Sequence, residues 1–385
     1  MTRILVLGAG FGGITAAIEL RRRLGERVDV TVVERKERFL MGLSKLWALD
    51  GRRPISKGER DVAALASHGV QVRRGTVQRI DLVGRTVHVS GEPLPYDQLV
   101  IALGADLAPD AVPGFETAHN LYDPAAIPRL AEAMRSFDAG RVLVAIAAMP
   151  FKCPPAPYEA AMLLSSLFRR RGVRDRVEIE LTTPEPRPLP AAPASCGSDL
   201  QLYLRAKGVT YSPGLKPVRV DPDARVVHYD GGATRSYDAL VGVPVHRAPA
   251  VVREAGLTDA SGWIPVDPHT LRTSHADVHA VGDVTVVRTP SGKPLPKAGI
   301  LAEGEAKVVA ANIAAEVLGE PATARYDGRG ACFIELGDEA ATAVEGDFYA
   351  LPEPAMTLRM PGPDALADKM RFEAERLKAW FDREG

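Results

Sequence analysis

The chain lacks the features that mark secreted, membrane-spanning and nucleic-acid-binding proteins. Its 385 residues contain only three cysteines, Cys153, Cys196 and Cys332, too few for the disulfide framework of a secreted protein. No apolar run reaches the length of about 18 residues that a transmembrane helix needs. A net charge of −1 gives no support to a nucleic-acid partner. No signal peptide precedes the first apolar strand at Arg3, so cytoplasmic residence is expected.

A nucleotide-binding fingerprint stands near the start of the chain. An apolar strand pattern is followed by Gly8, Gly10 and Gly13 in the spacing G-x-G-x-x-G, and then by a helical pattern. The first glycine allows a tight turn, the second lets a pyrophosphate approach the backbone, and the third permits close packing of the helix. Glu34 ends the next predicted strand, where it is placed to accept hydrogen bonds from ribose hydroxyls, and Arg35 follows it.

Two further glycine turns favour FAD over NAD as the ligand. One predicted strand ends at Ala102 and Gly104, and another ends at Gly282-Asp283, whose carboxylate is placed to bond a flavin ribityl chain. Taken alone, Asp283 is equally typical of a helix N-cap. The predicted cofactor-binding residues are therefore Gly8, Gly10, Phe11, Gly12, Gly13, Glu34, Arg35, Ala102, Gly104, Gly282 and Asp283.

A second strand of the same kind begins near residue 142, but the glycines expected after it are missing. The chain continues instead through Met149-Pro150-Phe151-Lys152-Cys153. Without those glycines a pyrophosphate cannot approach the backbone, so a nicotinamide site is predicted to be lost. Cys153 follows Lys152 and precedes a predicted helix, and both neighbours favour a thiolate. The alternative is a buried, inert cysteine. A flavoprotein of this kind is expected to take electrons from sulfur.

Repeated βαβ patterns predict an α/β fold with two Rossmann-like dinucleotide-binding domains and a small C-terminal region. The first domain is predicted over 1–108 and 244–320, and the second, with the degenerate nucleotide site, over 109–243. The C-terminal region, 321–385, contains a hairpin with Cys332 and an amphipathic helix over 363–383. The apolar stripe of that helix is expected to contact a membrane surface at its inner face or to pack on a second subunit of a homodimer. Cys196 is predicted in a loop over 184–197 and is interpreted as a bystander.

Four segments give the chain a resemblance to a known family. They are Lys152-Cys153-Pro-Pro-Ala-Pro-Tyr158-Glu159, the segment from Pro296 to Glu303, Cys332, and Lys369-Met-Arg-Phe372-Glu373. These segments resemble those of the sulfide:quinone oxidoreductases and of the flavoprotein subunit of flavocytochrome c sulfide dehydrogenase, within the two-dinucleotide-binding-domain flavoproteins. In two places the chain departs from these relatives. The segment 120–123 lacks the third cysteine that many of them carry, and 39–47 lacks a cysteine that would hold FAD covalently.

The resemblance implies a sulfide-oxidising enzyme with non-covalent FAD, a small sulfur substrate and a quinone acceptor. Cys153 and Cys332 would form the redox pair beside the flavin, able to form a disulfide or polysulfide bridge, with Glu159 as a further catalytic residue. Lys297, Ala298 and Gly299 would open a helix directed at the flavin, where its dipole stabilises negative charge. Glu159, Glu303 and Lys369 match positions that serve quinone binding and proton transfer in that family. No metal site is predicted.

Two other functions fit parts of the sequence. A type-II NADH:quinone dehydrogenase-like flavoenzyme would share the fold but would need a working second nucleotide site. A flavin-binding redox sensor without turnover would need neither that site nor a third cysteine. The exact sulfur substrate and the electron acceptor are left open at this stage.

Overall fold

The computed structural model describes residues 1–382, and two parallel five-stranded sheets form its centre. The first third contains β1 (Thr2–Leu7), α1 (Phe11–Leu24), β2 (Val28–Glu34), β3 (Arg38–Leu40), α2 (Ser44–Leu49), β4 (Glu59–Asp61), β5 (Gln71–Arg74), β6 (Val77–Asp81), β7 (Thr86–Val89), β8 (Glu92–Pro95), β9 (Gln98–Ile101) and β10 (Asp106–Ala108). The middle contains β11 (His119–Asn120), α3 (Ile127–Ser136), β12 (Gly140–Ile146), α4 (Ala156–Arg170), β13 (Val177–Thr182), α5 (Ala194–Ala206), β14 (Val209–Ser212), β15 (Pro217–Asp221), β16 (Val226–Tyr229), β17 (Thr234–Ser236) and β18 (Ala239–Val243).

The rest of the chain returns to the first sheet and then builds a small third unit. The returning part contains β19 (Val245–Arg247), α6 (Ala250–Glu254), β20 (Ile264–Pro265), β21 (Val278–Ala280), β22 (Thr285–Val286) and α7 (Gly299–Leu318). The third unit contains β23 (Arg329–Gly337), β24 (Ala340–Asp347), β25 (Ala355–Leu358) and α8 (Pro363–Phe381). Of the helix predicted over 363–383, only residue 383 lies outside the described residues.

Each large sheet has the doubly wound order of a dinucleotide-binding fold. The first is β21-β9-β1-β2-β5 and the second is β11-β18-β12-β13-β14, and all their pairings are parallel. The central strands β1 and β12 are almost continuous apolar runs because both of their faces are covered. The chain passes between the sheets through the antiparallel pair of β10 and β19. In such folds ligands bind at the carboxyl ends of the strands.

The C-terminal unit packs α8 and the antiparallel sheet β23-β24-β25 against α4 and α1. Its helix carries buried apolar residues, among them Leu377, Trp380 and Phe381. Glu373 of the same helix accepts a hydrogen bond from Ser44 Oγ at 2.6 Å and pairs with Arg53. The membrane-facing stripe predicted for this helix is therefore largely covered by the protein itself. Within residues 1–382 no helix is long and apolar enough to cross a membrane.

The predicted loop around Cys196 is wrong. Cys196 lies in the first turn of α5, buried, with its Sγ 3.7 Å from the carbonyl oxygen of Met356. Cys196, Leu200 and Leu204 recur every four residues and face the core, which is the spacing of an amphipathic helix. The high proline and alanine content before residue 194 concealed that pattern.

A buried lysine joins the second sheet unit to the C-terminal unit. Lys369 of α8 donates to Glu159 Oε1 of α4 at 2.6 Å and to Glu335 Oε2 of β23 at 3.0 Å. All three side chains are at most 1% exposed. Glu159 Oε1 also accepts from the backbone N–H of Glu335 at 2.8 Å, and Trp47 Nε1 donates to Glu335 Oε2 at 2.9 Å. One cation thus neutralises two carboxylates that have no water to solvate them.

The ion pairs continue from this lysine to the protein surface with alternating sign. Glu335 pairs with Arg52, whose Nε lies 2.7 Å from Asp50 Oδ2, and Asp50 pairs with Arg170. Arg170 is 47% exposed on its side chain, so the chain of charges begins in the core and ends in solvent. It connects α4, β23 and α8 with the segment that directly follows α2, and fixes their relative positions.

Replacing Lys369 by methionine tests this role. The Lys369→Met variant leaves the two buried carboxylates without a counter-ion, which is expected to lower the free energy of unfolding by about 3–5 kcal/mol at pH 8. Burial already raises the pKa of Glu159, and losing Lys369 raises it further. The deficit is therefore expected to shrink as the pH falls towards 5, where the carboxyl can be protonated.

Urea unfolding at the two pH values, with the exposed Lys57→Met as the matched control, measures the effect. An equal loss of stability in both variants would contradict the account.

Candidate active site

The glycine turn between β1 and α1 has the shape of a dinucleotide cradle. Gly8 has φ +99°, and a Cβ on it would lie 2.4 Å from the carbonyl oxygen of Ala102. A Cβ on Gly13 would lie 1.8 Å from the carbonyl oxygen of Gly8, so neither position tolerates a side chain. A Cβ on Gly10 would meet nothing within 4 Å. The turn is therefore closed on the protein side and open at Gly10, at the N-terminus of α1, where a diphosphate would approach.

Glu34 stands beside this turn. Its carboxylate accepts from the backbone N–H of Ala9 at 2.8 Å and from that of Lys36 at 2.9 Å. These bonds hold the acid at the end of β2, where the fold places a ribose ligand. Arg35 points elsewhere, since its guanidinium pairs with Asp106 at 3.2 Å on the surface.

The remaining glycines of the predicted set let α1 and α7 begin close together. A Cβ on Gly12 would lie 2.8 Å from Val281 Cγ2, and one on Gly299 would lie 2.9 Å from the ring of Phe11. Ala298 directly precedes α7 and is buried. Gly104 ends the β9 turn with φ +69°. The N-terminus of α7 therefore lies near that of α1, as the fingerprint geometry requires.

Lys297 connects the Gly282-Asp283 turn with Cys153. Its Nζ donates to the carbonyl oxygens of Asp283 at 2.8 Å and Thr285 at 2.7 Å, while its own carbonyl oxygen accepts from the N–H of Cys153 at 2.7 Å. Burial lowers the pKa of Lys297 to about 8. The Lys297 side chain therefore holds the main chain of the predicted ribityl turn.

Cys153 and Cys332 reach the same region from different units. Cys153 precedes α4 and has a left-handed backbone with φ +49°, held by a hydrogen bond from Tyr122 Oη to its carbonyl oxygen at 3.1 Å. Cys332 lies on β23, three residues before Glu335, whose N–H binds Glu159 of α4. Both thiols are half-buried and free. They lie close enough that ionised Cys153 raises the pKa of Cys332.

The burial of Cys153 opposes the activation that the sequence predicts for its thiol. Burial raises the pKa of the Cys153 thiol to about 11, and the charge of Glu159 raises it further, against the opposing effects of Lys45 and Lys369. Burial also raises the pKa of Cys332, followed by the effects of Cys153 and Glu159. Desolvation of the charged form exceeds the attraction to nearby cations. The charge of the Glu159 carboxylate therefore raises the pKa of both thiols.

Glu303 does not join Glu159 and Lys369. Its carboxylate lies 2.6 Å from Lys307 Nζ and 3.3 Å from Arg376 Nε, buried between α7 and α8. The structure therefore brings together only two of the three residues expected to serve quinone binding and proton transfer.

An aromatic group, Phe11, Phe333 and Phe372, forms where α1, β23 and α8 meet. The Phe372 ring stacks on Phe11, with centroids 6.3 Å apart and planes 13° apart, and meets Phe333 edge-on at 5.9 Å. Phe333 follows Cys332, and Phe372 lies one helical turn after Lys369. Sequence reasoning missed Phe333 and the central acid Glu335. A charged residue inside the apolar run Cys-Phe-Ile-Glu-Leu was the available signal for Glu335.

The second sheet unit fills its own nucleotide position with side chains. After β13, where this fold places a ribose-binding acid, Glu185 is 1% exposed. It accepts hydrogen bonds from Tyr158 Oη, at the start of α4, and from Thr183 Oγ1 at 3.1 Å. Burial raises the pKa of Glu185 to about 7. A carboxylate enclosed in this way is not available to a ribose, which agrees with the missing glycines after β12.

Two doubly wound sheets, a fingerprint turn and a thiol beside it define a dinucleotide-binding oxidoreductase of the α/β class. Residues 2–306 match the pyridine nucleotide-disulphide oxidoreductase family, and the chain belongs to that family. Membership implies a flavin cofactor, and the open turn at Gly10, the acid Glu34 and the Gly282-Asp283 turn fit one.

Comparison with known proteins gives the same picture. The chain is 25% identical over 370 residues to the mitochondrial sulfide:quinone oxidoreductase of Mus musculus, spanning 91% of this chain and 79% of the mouse protein. It is 26% identical over 348 residues to the type II NADH:quinone oxidoreductase Ndh of Mycobacterium tuberculosis, covering 82% and 73% of the two chains. The crystal structure of the Aquifex aeolicus sulfide:quinone oxidoreductase superposes with a TM-score of 0.88 at 22% identity, over 99% of this chain and 92% of that one. The predicted α/β fold and the family resemblance are confirmed.

Two glycine variants distinguish the role of the turn in folding from its role in binding flavin. Gly10→Ala is expected to fold normally, because its Cβ enters open space, but to lose most bound flavin, because that space is the path of the pyrophosphate. Gly13→Ala is expected to lose both fold and flavin. Far-UV circular dichroism and the flavin absorbance per chain measure the two effects. Gly362→Ala, also in open space, is the control. Unchanged flavin content in Gly10→Ala would refute this assignment of the turn.

Removing the charge of the enclosed Glu185 is expected to stabilise the protein. A folded-state pKa of about 7 for Glu185, above the ordinary 4.5, means that its charge opposes folding increasingly as the pH rises through that interval. Glu185→Gln keeps the hydrogen bonds and removes the charge, so it is expected to stabilise the protein by up to about 3 kcal/mol at pH 8 and hardly at all near pH 4.5. Chemical unfolding at both pH values measures this. A loss of stability at pH 8 would show that the acid has another role.

Proposed function

We propose that the chain oxidises sulfide, or a related small sulfur species, through Cys153 and Cys332, with non-covalently bound FAD and a quinone as the electron acceptor. The observation that carries the proposal is that two free, half-buried thiols from different units lie close enough to interact electrostatically, and that the N–H of one of them, Cys153, is bound by the carbonyl oxygen of Lys297. Similarity to proteins that are named as sulfide:quinone oxidoreductases and sulfide-quinone reductases supports the proposal.

FAD would be held by the glycine turn, Glu34 and Asp283. Helix N–H groups and the open face at Gly10 suit its diphosphate, and the acid at the end of β2 suits its ribose. Bound FAD supplies the acceptance of an electron pair from thiols and its transfer to a second substrate. The absence of cysteine in 39–47 supports a non-covalent cofactor.

The proposed reaction requires a residue of the protein to remove the proton of the Cys153 thiol. Disulfide exchange needs a thiolate, yet burial raises the pKa of Cys153 to about 11. Glu159 is the proposed acceptor of the thiol proton, because it interacts electrostatically with both thiols and burial raises its own pKa. Lys369 Nζ lies 2.6 Å from Glu159 Oε1. This contact holds the carboxyl group of Glu159 in place both when it is charged and when it is protonated.

The aromatic group is the proposed quinone position. Phe11, Phe333 and Phe372 are part-exposed and offer flat faces to an aromatic head group. Lys369 precedes Phe372 by one turn, which links this position to Glu159. Since quinones with apolar tails dissolve in the membrane, we also propose contact with a membrane surface, for which the exposed side chains of Met360 and Met370 are suited.

The domain division proposed from the sequence is retained. Residues 1–108 and 244–320 would form the FAD domain, 109–243 the domain with the filled nucleotide position, and 321–385 the C-terminal region. The NADH-dependent alternative is disfavoured because Glu185 is enclosed by Tyr158 and Thr183.

Serine variants of the three cysteines test the proposal. Under anaerobic conditions, Cys153→Ser and Cys332→Ser are expected to slow the bleaching of flavin by sulfide at least about 1000-fold, because a hydroxyl cannot replace the nucleophilic sulfur. Cys196→Ser, in the core of the second unit, is the matched control and is expected to react like the unaltered enzyme. Flavin content must stay constant in all three. Bleaching of Cys153→Ser at the unaltered rate would refute the proposal.

A further inference from the structure

Basic side chains lie near the buried Tyr122, which is hydrogen-bonded to Cys153. Lys45 Nζ lies 5.0 Å from the centroid of the Tyr122 ring and 3.4 Å from the carbonyl oxygen of that residue. The His246 ring meets the same tyrosine edge-on at 5.1 Å. Tyr122 Oη binds the carbonyl oxygen of Cys153, and Lys152 is the neighbour of Cys153 in the chain. We call Lys45, Tyr122, Lys152 and His246 the Tyr122 cluster.

The two lysines of the Tyr122 cluster repel each other, and neither has a carboxylate partner among the described residues. Burial lowers the pKa of Lys45 to about 8, and the charge of Lys152 lowers it further. Burial also lowers the pKa of Lys152. Neither ammonium makes an ion pair with a carboxylate within residues 1–382, although their neighbourhood includes Asp283, Asp106, Asp123 and Lys36. Two unpaired cations held together favour an anion between them.

His246 adds a hydrogen-bond acceptor to these two cations. Its Nδ1 lies 2.9 Å from the carbonyl oxygen of Pro244, so Nδ1 carries the hydrogen and Nε2 has a free lone pair. The residue is 5% exposed, and Nε2 has no hydrogen-bond partner in the described part of the chain. Burial, followed by the charge of Lys152, lowers the pKa of His246 to about 3, which keeps the ring neutral. Buried polar atoms without partners are rare in folded proteins.

We propose that the Tyr122 cluster is a subsite for the hydrosulfide ion next to Cys153. Hydrosulfide carries one negative charge, which suits the two ammonium groups, and one S–H, which suits the free Nε2 of His246. A sulfur oxyanion such as sulfite offers only acceptors and would face the lone pair of that nitrogen. This inference rests on the proposed function, since it describes how the substrate reaches the thiol.

The charge preference of thiol alkylation tests the subsite without turnover. The rates at which iodoacetate and iodoacetamide modify Cys153 are measured in the FAD-loaded enzyme by mass spectrometry of the Cys153 peptide. Their ratio is independent of the thiolate fraction. Lys45→Met and Lys152→Met are each expected to lower the ratio about tenfold, as the loss of one charge-assisted contact would. Lys45→Arg and Lys152→Arg should retain it, and the exposed Lys216→Met is the control.

A ratio unchanged in both methionine variants would overturn the subsite. The same variants are then examined by anaerobic reduction of the flavin with sulfide. Half-saturation is expected to rise about tenfold with little change in the saturating rate. His246→Phe should raise half-saturation for sulfide and leave the alkylation ratio unchanged. If sulfide bleached the flavin in neither the variants nor the unaltered enzyme, the proposed function would fail. An unchanged ratio of the iodoacetate and iodoacetamide rates would overturn the subsite alone.

Discussion

The arrangement of this protein depends on one buried cation between two carboxylates. Lys369 meets Glu159 and Glu335 where no water reaches them, so none of the three can move without leaving an unpaired charge in the core. Because Glu159 belongs to α4 and Glu335 to β23, the lysine fixes the strand of Cys332 against the helix that follows Cys153. The relative position of the two thiols thus depends on an ionic contact several residues away from either of them.

The same contact links the site to its surroundings. On one side Glu159 acts on both thiols, and on the other the charges continue through Arg52 and Asp50 to the surface. Cys153 is held separately by Lys297 and by Tyr122, which bind its N–H and its carbonyl oxygen. A thiol that burial makes difficult to ionise is therefore fixed in position and placed near a carboxylate, so its reactivity must come from that neighbour rather than from a low pKa.

Local patterns predicted the fold and the cofactor turn well, because glycine spacing and apolar strands act over a few residues. Gly8, Gly10 and Gly13 have the geometry that their spacing implies. Tertiary effects explain the differences between prediction and structure. Lys152 next to Cys153 suggested a thiolate, but burial, which no short pattern reveals, determines the pKa. Cys196 was placed in a loop because prolines masked a helical spacing of four. Glu335 and His246 were missed because their partners are distant in the sequence.

Electrons are proposed to enter this protein from sulfur, because Tyr158 encloses Glu185 where a second nucleotide would bind. The most direct measurement is anaerobic stopped-flow spectroscopy of the flavin, with sulfide and NADH supplied in parallel. Rapid bleaching of the flavin by sulfide is expected, with none by NADH over the same period. Rapid bleaching by NADH alone would contradict this proposal, and would mean that the enclosed carboxylate opens to a nucleotide and that the two thiols are not the entry point for electrons.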